Sequence, residues 1–346
     1  MNPAWQTYLH TQHAIIENQR VTHFGNIAAE RAAALRETVV ADLSTFGLIQ
    51  FSGDDATTFL QSQLSCDVRE IDAQTARYGS YCTPKGRILA NFTLWRQTDD
   101  FLMQLPASLS TSIQKRLSMF VLRAKVQSAN IGNEWVQIGV AGAGAAATIE
   151  KATNCTCSGE QPLTVCNSGK NQILRLAPNR FLLIAPTADA PSLWQQLCLH
   201  ARPVGISCWE WLTIQAGVPA VLPETQEAFI PQMINLDALG GVGFKKGCYP
   251  GQEIVARTQY LGTLKRRMVL AHIDTSKPVN AGDPLYSTDM ADQSSGTVVN
   301  AAPSPHGGTD VLAVIQLSNL ETGSVHWSSP QGPMLTIKPL PYPVDQ

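Results

Sequence analysis

The chain has 346 residues, of which 44% are hydrophobic and 15% charged, and its formal net charge is -2 at pH 7. This length exceeds the ~250 to 300 residues at which single hydrophobic cores stop growing, so we expect two or three subdomains. The composition excludes a disordered chain, and the near-neutral charge excludes the global basic field of a general nucleic-acid binder. We therefore expect no direct binding of nucleic acid.

Membrane and disulfide-rich classes are also excluded by the sequence. No stretch approaches the ~18 apolar residues of a membrane span, and residues 1–5 do not begin a basic segment followed by an apolar run. Eight cysteines are too few for a disulfide scaffold of this length. We expect a cytoplasmic protein with no membrane partner, whose cysteines stay reduced.

Hydrophobic periodicity predicts helix over residues 5–37, with a break near Gly25. A first unit then follows in the order strand, helix, hairpin, helix and strand, which is typical of a ferredoxin-like unit. Its elements are predicted at residues 48–51, 52–64, 78–83 with 88–95, 109–120 and 135–140.

A second round of similar elements is predicted at residues 145–152, 173–176 with 181–185, and 193–198. Beyond residue 265 the pattern changes to short strands separated by turns, which favours a small antiparallel barrel. These strands are predicted at residues 267–273, 284–287, 296–299, 311–316 and 334–337.

The most informative segment is an octet with one cysteine between two glycines: Lys246-Gly247-Cys248-Tyr249-Pro250-Gly251-Gln252-Glu253. A thiolate is the reactive form of cysteine, and the positive charges of Lys245 and Lys246 favour it. Gly247 and Gly251 permit a tight turn and let a ligand approach the main chain. The alternative, in which Cys248 is a small buried hydrophobe and the glycines only close a turn, stays open at this point.

The octet, with Arg257 beyond it, resembles the signature of the YgfZ family. These are folate-binding relatives of the glycine-cleavage T-protein that are linked to the maintenance of iron-sulfur enzymes. Further segments stand in the order and at the spacing of that family, so the resemblance spans roughly residues 42–320. They are residues 59–68, 81–87, 212–219, 229–232 and 235–237.

The resemblance implies an α+β fold, in which two interlocked ferredoxin-like units of the T-protein type precede a C-terminal antiparallel β-barrel. It predicts a helical extension at residues 1–40, a folate-binding domain at 41–264 and the barrel at 265–346. The implied function is support for the assembly or repair of iron-sulfur clusters in client enzymes, including tRNA-thiolating enzymes.

The resemblance also assigns site residues. Cys248 is the expected reactive thiol, as a nucleophile, redox thiol or transient iron-sulfur ligand, and Lys246 favours its thiolate. No resident metal is predicted. Six further residues are expected to shape this site: Gly247, Tyr249, Gly251, Gln252, Glu253 and Arg257.

Tetrahydrofolate or a derivative is the implied cofactor, with Gln215, Asn235, Asn91 and Tyr81 as its candidate binding residues. Gln215 stands where T-proteins carry a glutamate that contacts the pterin ring. An amide both donates and accepts, so it can still pair with the mixed edge of that ring. Asn235 is equally well explained as a residue that caps a turn.

One departure from the T-protein pattern bears on the reaction class. Ala90 and Asn91 stand where aminomethyltransferases carry an acidic pair, and neither side chain ionises. We therefore expect no aminomethyltransferase activity. Two alternatives remain, a folate-dependent one-carbon transferase or demethylase and a non-catalytic folate-sensing adaptor. The expected partners are folate and iron-sulfur client enzymes or assembly factors.

The spacing of a second group of cysteines, Cys155, Cys157 and Cys166, resembles that of a metal-binding site. No second close pair of cysteines and no His-x-x-His motif follows it, and structural zinc sites require such a partner. We interpret the three as lining a surface loop and the strand beside it.

Overall fold

The computed structural model describes residues 1–157, 161–260, 262, 264–288, 293–319 and 324–344. The chain forms two compact units, each assembled from three separate segments. The first comprises Met1–Ala56, Arg69–Arg77 and Thr93–Leu212, and the second comprises Thr57–Val68, Tyr78–Phe92 and Thr213–Gln346. The domain boundaries predicted at residues 40 and 264 stay predictions. Among the described residues, every helix is too short or too polar to span a lipid bilayer.

The first unit begins with helix α1 (Pro3–Thr11), strands β1 (Ile15–Glu17) and β2 (Arg20–His23), and helix α2 (Ile27–Arg36). The prediction of helix throughout residues 5–37 is therefore wrong between the two helices. Asn18 and Gln19 both have positive φ, at 49° and 62°. Two consecutive left-handed residues are the mark of a tight hairpin turn, which joins β1 to β2.

The main sheet of the first unit has six strands in the order β10-β11-β12-β9-β3-β13. Large buried side chains, including Trp5, Phe181 and Trp194, form the core on this sheet. The elements are β3 (Val39–Asp42), β9 (Trp135–Ala141), α5 (Ala145–Thr153), β10 (Thr164–Ser168), β11 (Asn171–Ala177), β12 (Arg180–Pro186), α6 (Ala190–Cys198) and β13 (Arg202–Pro203).

A further group of strands in this unit centres on β4, which pairs with β7 on one side and β8 on the other. Strand β7 also pairs with residues 93–97 of β6. The bounds are β4 (Phe46–Ser52), β6 (Ile88–Gln97), β7 (Asp100–Pro106), α4 (Ala107–Ser118) and β8 (Gln127–Asn130).

The second unit combines helices and short turns with a curled antiparallel sheet. It holds most of α3 (Ala56–Gln63) and β5 (Arg77–Cys82), the first half of β6, the end of α7 (Ile206–Gln215), and α8 (Gln252–Tyr260). Short 3₁₀ helices span Val68–Glu70, Pro223–Thr225 and Pro231–Ile234.

The C-terminal sheet has the order β18-β15-β16-β17-β14-β19, and its pairings are antiparallel. Its two edge strands meet at a bridge between His326 and Met334, so the sheet curls upon itself. The predicted α+β class and C-terminal antiparallel barrel are thereby confirmed. The strands are β14 (Arg266–Ile273), β15 (Pro284–Ser287), β16 (Ser294–Pro303), β17 (Thr309–Gln316), β18 (Val325–Trp327) and β19 (Leu335–Lys338).

Candidate functional site

The loop that precedes α8 presents Cys248 to solvent. All eight cysteines lie in the described part of the chain, and Cys248 alone is exposed, while the other seven are buried or half-buried. Burial raises the pKa of Cys82 and of Cys198 to about 12 and that of Cys208 to about 11, so these thiols stay protonated at neutral pH. Access to solvent therefore singles out Cys248.

Lys246 anchors this loop to residues 64–66. Its side chain is buried, and its ammonium donates hydrogen bonds to the carbonyl oxygens of Leu64 and, at 2.8 Å, Cys66. The same ammonium lies 5.1 Å from the centre of the Tyr249 ring, within reach of a cation–π contact. These bonds give Lys246 a structural role, and its predicted influence on the Cys248 thiolate stays a prediction. Lys245, by contrast, is exposed.

Tyr249 is a second anchor of the loop. The ring is buried, and burial, together with the neighbouring Cys82 and Cys66, raises the pKa of its hydroxyl. That hydroxyl has no hydrogen-bond partner among the described residues. Tyr81, which lies on β5, is also buried. Both rings are buried within the second unit rather than exposed on its surface.

The two glycines of the octet differ in what the fold requires of them. Gly251 has φ +83°, and a Cβ there would lie 2.5 Å from the carbonyl oxygen of Thr83 and 2.6 Å from Cα of Gly86. Gly247 has no left-handed φ, and a Cβ there would enter open space. The predicted tight turn is therefore confirmed at Gly251 and wrong at Gly247. At Gly247 the missing side chain instead leaves room next to Cys248.

Helix α8 begins directly after the loop. Gln252 is half-buried in its first turn, whereas Glu253 and Arg257 are exposed. The helix is tied to the turn at Pro231–Ile234, because Gln232 donates from Nε2 to the carbonyl oxygen of Val255 at 2.7 Å. This bond connects the cysteine loop to a second polar region of the same unit.

Asn235 lies at the centre of that second region. It ends the turn Pro231–Ile234 with φ 59°, is fully buried, and donates from Nδ2 to the carbonyl oxygen of Met268 at 3.0 Å. Within the described chain, Oδ1 of Asn235 and Oε1 of Gln232 accept no hydrogen bond. The left-handed turn explains why an asparagine stands here, and the two unpaired acceptors leave hydrogen bonding for a ligand to satisfy.

Tyr342 lies beside Asn235 and was missed by the sequence reasoning. Its hydroxyl donates to the carbonyl oxygen of Gly217 at 2.6 Å. Burial raises its pKa to about 12, against a hydrogen bond with Asn235 and the nearby Arg267 guanidinium, which both lower it. Arg267 in turn forms two hydrogen bonds, both of 3.1 Å, to one carboxylate oxygen of Asp237. The cluster thus combines an aromatic ring, amides and a charged pair.

Gln215 is engaged by a carboxylate that the sequence reasoning also missed. It donates from Nε2 to Oδ2 of Asp310 at 3.0 Å. Asp310 is buried and is further bonded by Nδ1 of His272 at 2.7 Å and Nζ of Lys338 at 2.8 Å. The available signal was a single carboxylate in β17, next to the apolar run of residues 311–315.

Asn91 has a scaffold role. It donates from Nδ2 to the carbonyl oxygen of Pro219 and accepts at Oδ1 from the amide of Val221, both at 2.7 Å. Ala90, its neighbour on β6, is fully buried. The side chain of Asn91 therefore fixes residues 219–221 against β6, and no carboxylate stands at either position.

A reduced folate requires hydrogen-bonding groups for its pterin edge and an apolar or aromatic surface for its ring. The unpaired oxygens of Asn235 and Gln232 and the ring of Tyr342 meet both requirements within the second unit. The residues present therefore supply groups of the kind that such a ligand requires.

Known proteins show clear similarity to this chain. A family model for the GCVT N-terminal domain matches residues 5–243. The tRNA-modifying protein YgfZ of Enterobacter sp. (strain 638) is 31% identical over 319 residues, covering 91% of this chain and 96% of that protein. The protein of the same name from Edwardsiella ictaluri is 32% identical over 304 residues, covering 86% and 90%.

Among solved structures, the glycine cleavage system aminomethyltransferase T from Bartonella henselae matches with a TM-score of 0.80 at 16% identity. The match covers 99% of this chain and 97% of that one, which confirms the predicted T-protein-like fold. From the domain match and the sequence identity over nearly the whole length, the chain belongs to the family of the tRNA-modifying protein YgfZ.

Proposed function

We propose that this chain is a folate-binding protein of the cytoplasm that supports the assembly or repair of iron-sulfur clusters in client enzymes, including tRNA-thiolating enzymes. The observation that carries the proposal is the presentation of Cys248. The thiol is exposed on a loop whose neighbouring residues, Lys246, Tyr249 and Gly251, are buried or sterically fixed. A loop held in one conformation that exposes one sulfur is suited to repeated contact with a partner protein.

Cys248 is the group that binds the cluster iron or reacts with its sulfur. A thiolate ligates iron and also attacks sulfane sulfur, because both are soft. The open space at Gly247 lets a bulky partner approach the sulfur. Exposed Glu253 and Arg257 on α8 provide polar contacts for client enzymes or assembly factors.

Folate binding is assigned to the second polar region of the same unit. Asn235 and Gln232 offer the acceptors and Tyr342 the ring surface, while Gln215 adds an amide held by Asp310. When bound, a reduced folate supplies a reducing pterin ring and a carrier for one-carbon groups. Direct binding of nucleic acid is not part of this function, since the net charge of -2 gives no attractive field.

The cysteine is tested by complementation of a strain that lacks its own YgfZ-like protein, with the activity of cluster-dependent enzymes as the readout. Cys248→Ala is expected to fail, and Cys198→Ser, which changes a half-buried thiol of the first unit, is the matched control and is expected to succeed. Full activity of Cys248→Ala would remove the thiol from the function and favour the folate-sensing adaptor.

Folate binding is tested by calorimetry with tetrahydrofolate. Asn235→Gly keeps the left-handed backbone but removes the amide, so we expect affinity to fall about tenfold or more, equivalent to ~1.4 kcal/mol. Asn154→Gly is the control, because Asn154 also ends a helix with positive φ, at 52°, but is exposed in the first unit. Unchanged affinity of Asn235→Gly would exclude that residue, and a wild-type chain that binds no folate would refute the folate assignment.

A further inference from the structure

The loop after α5 lies along strand β10 in the first unit and brings three thiols together. Three bonds mark its course. Oγ of Ser168 donates to the carbonyl oxygen of Thr153 at 2.8 Å, Sγ of Cys155 donates to that of Asn167 at 3.6 Å, and Nη2 of Arg175 donates to that of Cys157 at 3.1 Å. The loop therefore runs antiparallel to β10.

This course places Cys157 opposite Cys166. Thr153 faces Ser168 and Cys155 faces Asn167, so the next residue of β10 in the same direction is Cys166. Arg175, which fixes Cys157, pairs with Thr164 at the near end of β10. The Cys166 thiol is also close enough to contribute to the raised pKa of Cys157.

All three thiols are half-buried and pack on the core of the first unit. The three residues therefore keep some exposure to solvent. Within the described part of the chain, no group of three or more Cys, His, Asp or Glu side chains has metal-holding geometry.

We propose that Cys157 and Cys166 form a vicinal dithiol that closes to an intramolecular disulfide when it meets a peroxide. The site lies outside the second unit, and the inference does not depend on the proposed function of Cys248.

The reaction takes two steps. The Cys166 sulfur, as thiolate, attacks one peroxide oxygen, the O–O bond breaks, and the other oxygen leaves as hydroxide and takes up a proton to form water. Cys166 is then a sulfenic acid. The Cys157 sulfur attacks the Cys166 sulfur, the S–O bond breaks, and the hydroxyl leaves with the Cys157 proton as a second water. The two thiols are oxidised and the peroxide is reduced. Burial and the neighbouring thiols raise the pKa of Cys157, so this thiol carries the proton that the leaving hydroxyl takes up.

The test treats the purified full chain with hydrogen peroxide, alkylates it with N-ethylmaleimide after unfolding, and maps its peptides without reduction. We expect a crosslinked peptide that contains Cys157 and Cys166 and disappears with dithiothreitol. Cys157→Ser and Cys166→Ser should abolish it, and Cys155→Ser, the matched control on the same loop, should retain it. A disulfide that uses Cys155, or no crosslink at all, would overturn the proposal.

A second measurement covers variants that fail to fold. Phenylarsine oxide bridges two adjacent thiols, so the reduced wild-type chain should take up one arsenical, detected by native mass spectrometry and mapped to Cys157 and Cys166. Wild-type protein that takes up no arsenical would overturn the proximity on which the inference rests. Circular dichroism of each variant reports whether its fold is intact.

Discussion

Cys248 differs from the other cysteines in exposure, and the difference predicts its reactivity. Buried thiols whose pKa is raised to about 11 or 12 carry a negligible thiolate fraction at neutral pH. We therefore expect iodoacetamide to label Cys248 before the other seven in the native chain at pH 7, as read by peptide mass spectrometry. Faster labelling of Cys66 or Cys82 would contradict the burial argument, since both are buried.

Lys246 and Lys245 are adjacent but serve the fold differently. Replacing Lys246 by Met keeps the apolar stem and removes the ammonium, which leaves the carbonyl oxygens of Leu64 and Cys66 without this donor. Each buried, unsatisfied group costs ~1 to 3 kcal/mol, so for the two carbonyl groups we expect a loss of about 2 to 6 kcal/mol.

The measurement is the thermal midpoint of the purified variant compared with wild type. Lys245→Met is the matched control, because the exposed Lys245 should change stability by no more than ~0.5 kcal/mol. Equal midpoints for the two variants would show that Lys246 does not anchor the loop.

At the scale of elements, the cysteine loop depends on its close approach to the turn between β5 and β6. A Cβ added at residue 251 would lie 2.5 Å from a backbone atom, and the backbone there has a left-handed φ of +83°. Backbone cannot move aside as a flexible side chain can, so Gly251→Ala should cost more than ~2 kcal/mol.

Gly247→Ala is the matched comparison within the same octet. Its Cβ enters open space without a left-handed backbone, so we expect a change of at most ~0.5 kcal/mol. Thermal unfolding of the two variants side by side checks both expectations. A destabilised Gly247→Ala would show that the space beside Cys248 is filled in the folded chain.

Several elements were predictable because their signal is local. The strand-turn-strand pattern around Pro84 and Gly86 and the helices after Pro106 and Gly144 occur where the periodicity places them. The N-terminal hairpin was missed because its turn uses Asn18 and Gln19 without a glycine. Strand β3 was missed as well, since four buried residues give no period to read.

The site residues divide in the same way. Cys248 and Gly251 carried a motif, and their exposure and steric restriction agree with it. The partners of Gln215 and Asn235, namely Asp310 and Tyr342, are 95 and 107 positions away in sequence. Only the tertiary fold brings such residues together, so a local pattern can mark Asp310 as unusual in its strand but cannot identify it as the partner of Gln215.

At the scale of the whole molecule, a fold shared with an aminomethyltransferase does not bring that activity. We expect no aminomethyl transfer from a loaded carrier protein to tetrahydrofolate. Position 90 is a buried alanine, and the side chain of Asn91 donates one hydrogen bond to residues 219–221 and accepts one from them. A missing acid-base group costs about 10²- to 10⁴-fold in rate.

A direct turnover assay of the purified chain, run beside an authentic T-protein, tests this expectation. Comparable turnover would mean that another carboxylate, with Glu253 the first to examine, performs the proton transfer. Repeating the assay with Glu253→Gln would then identify it.

The segmented construction of the second unit has a consequence for how the protein is made. Lys246 leaves the ribosome 182 residues after Leu64, a delay of about 10 to 35 seconds at ordinary rates of synthesis. Until then, the carbonyl oxygens that will hold its ammonium have no cation to bind. Cys248 consequently emerges on a free segment and acquires its fixed setting only when residues 245–251 pack against residues 64–66.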